Sequence, residues 1–62
     1  MGMKRLFRKG ERVRSKLNGK VMEVLKYIKT PKSYKVECAW YDLEMKEVRV
    51  QHVSQNNLLR ER

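Results

Sequence analysis

YKVECAWY, residues 34–41, is the stretch that decides the fold of this chain. Apolar and polar positions alternate along it with a period of two, which indicates a β-strand with one buried face. That face carries Tyr34, Val36, Cys38 and Trp40. The stretch places the only cysteine two residues before the only tryptophan, and the alternation predicts that both point into a core.

Three other segments show strand patterns on either side of this stretch. Residues 13–17 alternate as a strand with one cationic face, and Val48 and Val50 continue as a strand after a turn at residues 42–46. Residues 21–29 are apolar on both faces, which predicts a long strand that bends and presents first one face and then the other to the core. A helical period also fits residues 21–29, although their β-branched and aromatic content favours a strand.

The segments between these strands carry turn signals. Asn18-Gly19 predicts a hairpin with a type I′ turn, because both residues tolerate a positive φ. Residues 30–33 contain Pro31 and predict a loop. Residues 54–57 predict a short helical turn capped by Ser54, and residues 58–59 form the last predicted strand.

Together these patterns predict an all-β fold, a small five-stranded antiparallel SH3-like barrel with a short helical turn before the last strand. The predicted core consists of Val13, Met22, Val24, Val36, Cys38, Trp40, Val48 and Val50. A chain of 62 residues suffices for one domain. We expect residues 1–6 to form a basic N-terminal arm and residues 7–62 to form the barrel domain.

The composition bears on location. A single cysteine allows no internal disulfide, which favours a reducing cytoplasm. No apolar run approaches the roughly 18 residues of a membrane-spanning helix. We therefore expect a cytoplasmic protein without membrane contact.

The candidate catalytic groups lack the neighbours that catalysis needs. Cys38 as a nucleophile would require a nearby base, and the only histidine, His52, is distant in sequence. Asp42 and Glu44 fall in a predicted turn, so we interpret them as turn residues rather than as an acid–base pair. The sequence predicts a protein that is not an enzyme, with no cofactor, no metal site and no small-molecule substrate.

Charge is distributed unevenly along the chain. Residues 1–35 hold 12 lysines and arginines against two glutamates, a charge of +10, whereas residues 36–62 carry a charge of −1. A basic half joined to a near-neutral half favours a polyanionic partner. The alternative is that the cations only keep a small protein soluble.

The candidate contacts to nucleic acid lie mainly on the first predicted hairpin and on the loop after the second strand. Cations suit phosphate groups because each contact releases condensed counterions, and exposed aromatic rings stack on unpaired bases. The candidate residues are Arg12, Arg14, Lys16, Lys20, Lys29, Lys32, Tyr27 and Tyr41. The alternative for Tyr27 is packing with Val21 and Leu25 beneath Leu6 and Phe7.

Two motifs resemble those of a known family. FRKGERVRSKLNGKVMEV, residues 7–24, resembles the YodC-like family of small bacterial proteins, whose pattern is close to F-K-P-G-D-x-V-x-L-K-S-G-G-P-x-M-T-V. The matching residues are Phe7, Gly10, Val13, Lys16, Gly19, Met22 and Val24. The second family signature, C-x-W-F-D, corresponds to Cys38, Trp40, Tyr41 and Asp42. The chain departs from the pattern at Lys9, Ser15 and Asn18.

The resemblance covers about half of the chain and implies a compact β-barrel. It assigns no catalytic residue. A looser similarity to the KOW-type SH3-like modules of ribosomal and transcription proteins rests on Gly10-x-x-Val13 and Gly19-x-Val21.

Two hypotheses of function follow. The first is a small non-catalytic binding module that contacts DNA or RNA through its basic N-terminal hairpin. The second is a protein-protein interaction module that self-associates as a homo-oligomer or serves a protein partner as an adaptor. A salt-sensitive affinity for nucleic acid distinguishes the first from the second.

Overall fold

The structure is a computed structural model that describes residues 4–61. Its five strands are β1 (Arg12–Ser15), β2 (Val21–Lys29), β3 (Tyr34–Asp42), β4 (Glu47–Ser54) and β5 (Leu58–Arg60). A single 3-10 turn, Gln55–Asn57, precedes β5. Ser54 precedes this turn as expected, but its side chain makes no capping hydrogen bond. The predicted all-β fold with a short helical turn before the last strand is confirmed.

All five strands form one antiparallel sheet in the order β4-β3-β2-β1-β5. Each strand except the last lies beside its neighbour in sequence, and β5 returns to pair with β1. Within residues 4–61 no ladder joins β4 to β5, so the closure of the barrel stays a prediction. No helix in the same residues is long and apolar enough to cross a membrane.

The long strand β2 changes the face that it presents to the core, as its sequence predicts. Val24 pairs with Cys38, but the next pair is Lys26 with Glu37, so Leu25 is an extra residue in the ladder. Such a bulge bends the strand and reverses the alternation beyond it. Tyr27 consequently lies opposite Val36 and packs against the core.

The core lies on one face of the bent sheet. Its buried apolar residues are Phe7, Val13, Met22, Val24, Val36, Cys38, Val53 and Leu58. The partly buried rings of Tyr27 and Trp40 pack against it. Five of the eight predicted core residues are fully part of it, and Trp40 lies at its margin.

The predicted core positions Val48 and Val50 are wrong, since these side chains are 65% and 51% exposed. Direct partners on antiparallel strands share a face of the sheet. Val36 pairs with Val53, so the odd-numbered residues of β4 lie on the core side. Val48 and Val50 pair with Tyr41 and Ala39 on the opposite face, which we call the outer face.

The hairpin between β1 and β2 is where the sequence places it, but its turn differs from the predicted type I′. Ser15 and Lys20 close the loop through a backbone hydrogen bond of 2.9 Å, and the amide of Gly19 donates to the carbonyl of Ser15 at 2.8 Å. Gly19 alone has a positive φ, of 74°, in this loop, whereas type I′ needs two such residues. The Asn18 side chain instead accepts a hydrogen bond from the amide of Lys20 at 3.0 Å.

Candidate nucleic-acid interface

A groove opens at the end of the sheet where β2 begins and β3 ends. Cationic and aromatic side chains line it together, and we call it the aromatic groove, defined by Arg12, Lys20, Trp40 and Tyr41. Trp40 and Tyr41 are consecutive residues of β3 and therefore point to opposite faces of the sheet. Both residues line the groove, which lies where β3 ends, one residue after Tyr41.

Lys20 and Trp40 form the inner side of the groove. The Lys20 Nζ atom lies 4.2 Å from the centroid of the Trp40 ring, which is a cation–π contact. Trp40 is half-buried, so part of the ring remains open to the groove. The sequence placed Trp40 wholly in the core and gave no sign of its contact with Lys20.

Tyr41 and Arg12 lie on the outer face. The Tyr41 side chain is 56% exposed and is the most exposed aromatic ring in residues 4–61. Arg12 is exposed and pairs across the sheet with Glu23, which also lines the groove. A flat aromatic ring and an exposed guanidinium group are thus available on the same surface.

Arg14 lies on the same strand as Arg12 but is held by the fold. Its Nε and Nη2 atoms each donate to a carboxylate oxygen of Glu61 at 2.9 Å, and Nη1 donates to the carbonyl of Gly19 at 3.0 Å. This bidentate contact lowers the pKa of Glu61 below its ordinary value. The Arg14 guanidinium group is therefore less available to a phosphate than its place in the sequence suggests.

The remaining predicted contacts do not all come together. Lys16 is exposed in the β1–β2 turn, close in sequence to the groove. Lys29 and Lys32 are exposed at the opposite end of β2. The eight residue steps from Val21 to Lys29 span about 26 Å at strand spacing, so these two lysines lie far from the groove.

Tyr27 is engaged by the N-terminal segment rather than by solvent. Its hydroxyl accepts hydrogen bonds from the amides of Leu6 and Phe7, at 3.0 and 2.9 Å, and donates to Oε1 of Gln55 at 2.6 Å. Arg5 contacts the Tyr27 ring, with Cζ 5.3 Å from its centroid. Tyr27 thus contacts Leu6 and Phe7, as in the alternative, but the bulge at Leu25 puts it on the face of the sheet opposite Val21.

Buried Gln55 also holds the N-terminal segment against the domain. Its Nε2 atom donates to the carbonyl of Lys4 at 2.9 Å, and Arg60 donates to the carbonyl of Leu6 at 2.6 Å. Residues 4–6 of the predicted arm are therefore bound to the domain, and residues 1–3 lie outside the described residues. No sequence signal pointed to Gln55, because a glutamine after a strand is ordinary.

Cys38 is buried, and His52 contacts a glutamate on the surface. Burial, and secondarily the charge of Glu37, raises the pKa of Cys38 to about 11, so the thiol stays protonated at neutral pH. His52 and Glu37 are joined on the surface, with Nε2 and Oε1 3.1 Å apart. Residues 4–61 contain no group of three or more side chains that could hold a metal ion.

Asp42 belongs to the β3–β4 turn. Its Oδ1 atom accepts hydrogen bonds from the amides of Glu44 and Met45, at 3.0 and 3.2 Å, and its Oδ2 atom accepts one from Arg49 at 3.2 Å. The Met45 amide is the main cause of a lowered pKa for Asp42. This arrangement agrees with the turn interpretation of Asp42 and Glu44.

Comparison with known proteins returns no relative: no family model, no curated protein and no solved structure matches the chain.

Proposed function

We propose that the protein is a small non-catalytic module that binds nucleic acid through the aromatic groove and the adjoining β1–β2 hairpin. The observation that carries this proposal is that Arg12 and Lys20 line the same groove as the rings of Trp40 and Tyr41. Single-strand binding sites combine cations along the sugar-phosphate backbone of the nucleic acid with aromatic rings that stack on its bases.

Phosphate contacts would supply most of the affinity. Arg12 and Lys20 line the groove, Lys16 is exposed in the adjoining turn, and all three belong to the half of the chain with a charge of +10. Each phosphate contacted releases condensed counterions, so binding weakens as salt rises. Contacts to the phosphates and sugars of a nucleic acid carry little information about its base sequence, and we therefore propose weak sequence selectivity.

Base stacking would favour single strands over duplexes. The Tyr41 ring is exposed enough to accept an unpaired base on its face. Three acidic residues, Glu23, Asp42 and Glu44, also line the groove and would repel phosphates there. We propose that the backbone follows Arg12, Lys16 and Lys20 while a base reaches Tyr41.

A buried, protonated cysteine is compatible with a cytoplasmic location, which we retain as part of the proposal. Membership of the YodC-like family likewise stays a prediction that rests on the two motifs of residues 7–24 and 38–42.

The decisive experiment is a salt titration of binding to single- and double-stranded DNA and RNA of mixed sequence, measured by fluorescence anisotropy. The Arg12→Glu/Lys20→Glu variant should bind all of these weakly and show a flatter salt slope, by about 1 unit for each phosphate that is no longer neutralised. Lys29→Glu/Lys32→Glu is a charge-matched control at the far end of β2 and should change binding less. Absence of any binding by the wild-type protein at low salt would refute the proposal.

A separate observation favours the second hypothesis, a protein-interaction module. Val48 and Val50 are exposed on the outer face beside Tyr41, on a strand with one unpaired edge within residues 4–61. Apolar residues beside an open strand edge are typical of surfaces that pair with another chain.

A further inference from the structure

Strand β4 is an open edge of the sheet. In the part of the chain that the structure describes, it pairs with β3 alone, in an unbroken register from Lys35 with Ser54 to Asp42 with Glu47. Its first four residues are all exposed. The backbone groups that point away from β3 are therefore accessible to another strand.

The other edge strand is protected, which makes the exposure of β4 distinctive. β5 is only three residues long, and Arg60 at its end binds Glu11 and the carbonyl of Leu6. Soluble proteins protect edge strands by shortness, charged side chains, proline or a bulge. β4 has eight residues, no proline and no bulge, and the two charged residues on its core side, Glu47 and Arg49, are of opposite sign.

The side chains of β4 indicate which strand fits this edge. Glu47 and Arg49 flank Val48 on the core side of the strand, where Arg49 also contacts Asp42 and Glu47 of its own chain, while Val48 points outward. A second β4, placed antiparallel about a two-fold axis at Val48, brings each Glu47 opposite Arg49 of the other copy. It also brings the two Val48 side chains together on the outer face. Cross-strand pairs of opposite charge and of β-branched residues stabilise a sheet.

We propose that two copies of this chain associate through β4, in the antiparallel register centred on Val48, to form one continuous sheet. A two-fold contact of this kind is closed, so it yields dimers rather than filaments. The near-neutral half of each chain forms the contact, whereas the cationic β1–β2 hairpins lie on the far side of β3. The net charge of +9 on each copy opposes association, so the dimer is a weak one that forms at high protein concentration.

The register is tested by charge reversal, with sedimentation velocity over a wide range of protein concentration and without nucleic acid. The wild-type protein should pass from monomer to dimer as concentration rises. Glu47→Arg and Arg49→Glu should each raise the dissociation constant about tenfold, because two attractive pairs become repulsive. An equimolar mixture of the two variants should associate again, since the arginine introduced at position 47 of one faces the glutamate introduced at position 49 of the other.

Matched controls separate the register from net charge and from folding. Glu23→Arg changes the net charge as Glu47→Arg does, and Lys32→Glu changes it as Arg49→Glu does, but both positions lie away from β4. These controls should change the dissociation constant less than about threefold, because exposed charges at a distance are screened. Val48→Lys should abolish the dimer, with an unchanged circular dichroism spectrum. A wild-type protein that is monomeric throughout, mixed variants that fail to associate, or open-ended aggregates would each overturn the proposal. None of these results depends on whether the protein binds nucleic acid.

Discussion

The ammonium group of Lys20 lies over the indole ring of Trp40, with Nζ 4.2 Å from the ring centroid. The contact connects the end of the β1–β2 loop to the end of β3, two regions 20 residues apart in sequence. A cation–π contact at such a site stabilises by about 0.5–1 kcal/mol, so Lys20 can exchange the ring for a phosphate at small cost. Trp40 is the only tryptophan, and its emission therefore reports on the groove.

We expect single-stranded oligonucleotides to quench the fluorescence of Trp40 as they fill the groove. The quenching should follow the same binding curve as anisotropy and should vanish at high salt, because the cations that hold the strand are then screened. Lys20→Met should shift the emission of the free protein and weaken binding. Quenching that persists after Arg12 and Lys20 are both reversed in charge would place the ligand elsewhere.

Tyr41→Ala is expected to separate binding from stability. The ring is 56% exposed, so its removal should change the free energy of unfolding little. Removing the partner of one stacked base costs about 1–3 kcal/mol, which corresponds to a decrease of about 5-fold to 150-fold in affinity for single strands. Tyr41→Phe keeps the ring and should bind like the wild type. Equal decreases for duplex and single strands would argue against stacking.

Tyr27→Phe should loosen the N-terminal segment. The change removes the acceptor of the Phe7 amide, one of two acceptors of the Leu6 amide, and the donor to Gln55, at a cost of about 1–3 kcal/mol. Hydrogen exchange, followed residue by residue, should show faster exchange of the Phe7 amide than in the wild type. Tyr34→Phe removes a hydroxyl from a neighbouring ring and serves as the control. Unchanged protection of Phe7 would contradict the hydrogen-bonding role of Tyr27.

The stability of the protein should fall in acid partly because of Glu61. The paired Arg14 lowers the pKa of Glu61 from an ordinary value of 4.5, so the folded state binds its proton less readily than the unfolded state. The resulting stabilisation is complete above pH 4.5 and is lost as pH falls through the lowered pKa. Urea unfolding, followed from neutral pH down through this range, should show a shallower acid decline for Glu61→Gln. Glu44→Gln, without an ion pair in residues 4–61, is the control and should behave like the wild type.

Cys38 should resist thiol reagents in the folded protein. Its side chain is fully buried and its pKa is raised to about 11 from an ordinary value of 9.0, so little reactive thiolate forms near neutral pH. A chromogenic disulfide reagent should react at once in denaturant and slowly in buffer, at a rate set by unfolding. Immediate stoichiometric labelling of the native protein would contradict the burial.

The bend of β2 was predictable because its sequence is apolar on both faces, and only a strand that changes face can bury both sets. The register of β4 was not predictable in the same way. Val48 and Val50 alternate with charged residues and resemble a buried face, yet Val53 occupies the core. The β3–β4 turn, in which Lys46 has a φ of 54°, determines which parity of β4 faces inward, and no residue type within β4 reveals that choice.

The candidate interface was likewise predictable from the sequence only in part. The uneven charge drew attention to the β1–β2 hairpin, because composition is read directly from sequence. Which cations act together depends on three-dimensional neighbours: Arg12 and Lys20 share a groove, whereas Arg14 is bound by Glu61 from the far end of the chain. A partner 47 residues away leaves no local pattern.

The pairing of β1 with β5 has a mechanical consequence. Val13 lies opposite Arg60, and Ser15 lies opposite Leu58, so the segments that lead out of the sheet, before β1 and after β5, leave from the same end of this ladder. A pulling force applied to residues 4 and 61 would first load the bonds of these residues themselves, Lys4 with Gln55 and Glu61 with Arg12 and Arg14. It would then load the bonds of Arg60 to Leu6 and Glu11, and finally open the ladder one pair at a time. The domain would therefore yield by unzipping, at lower force than a fold whose terminal strands must slide past each other in shear.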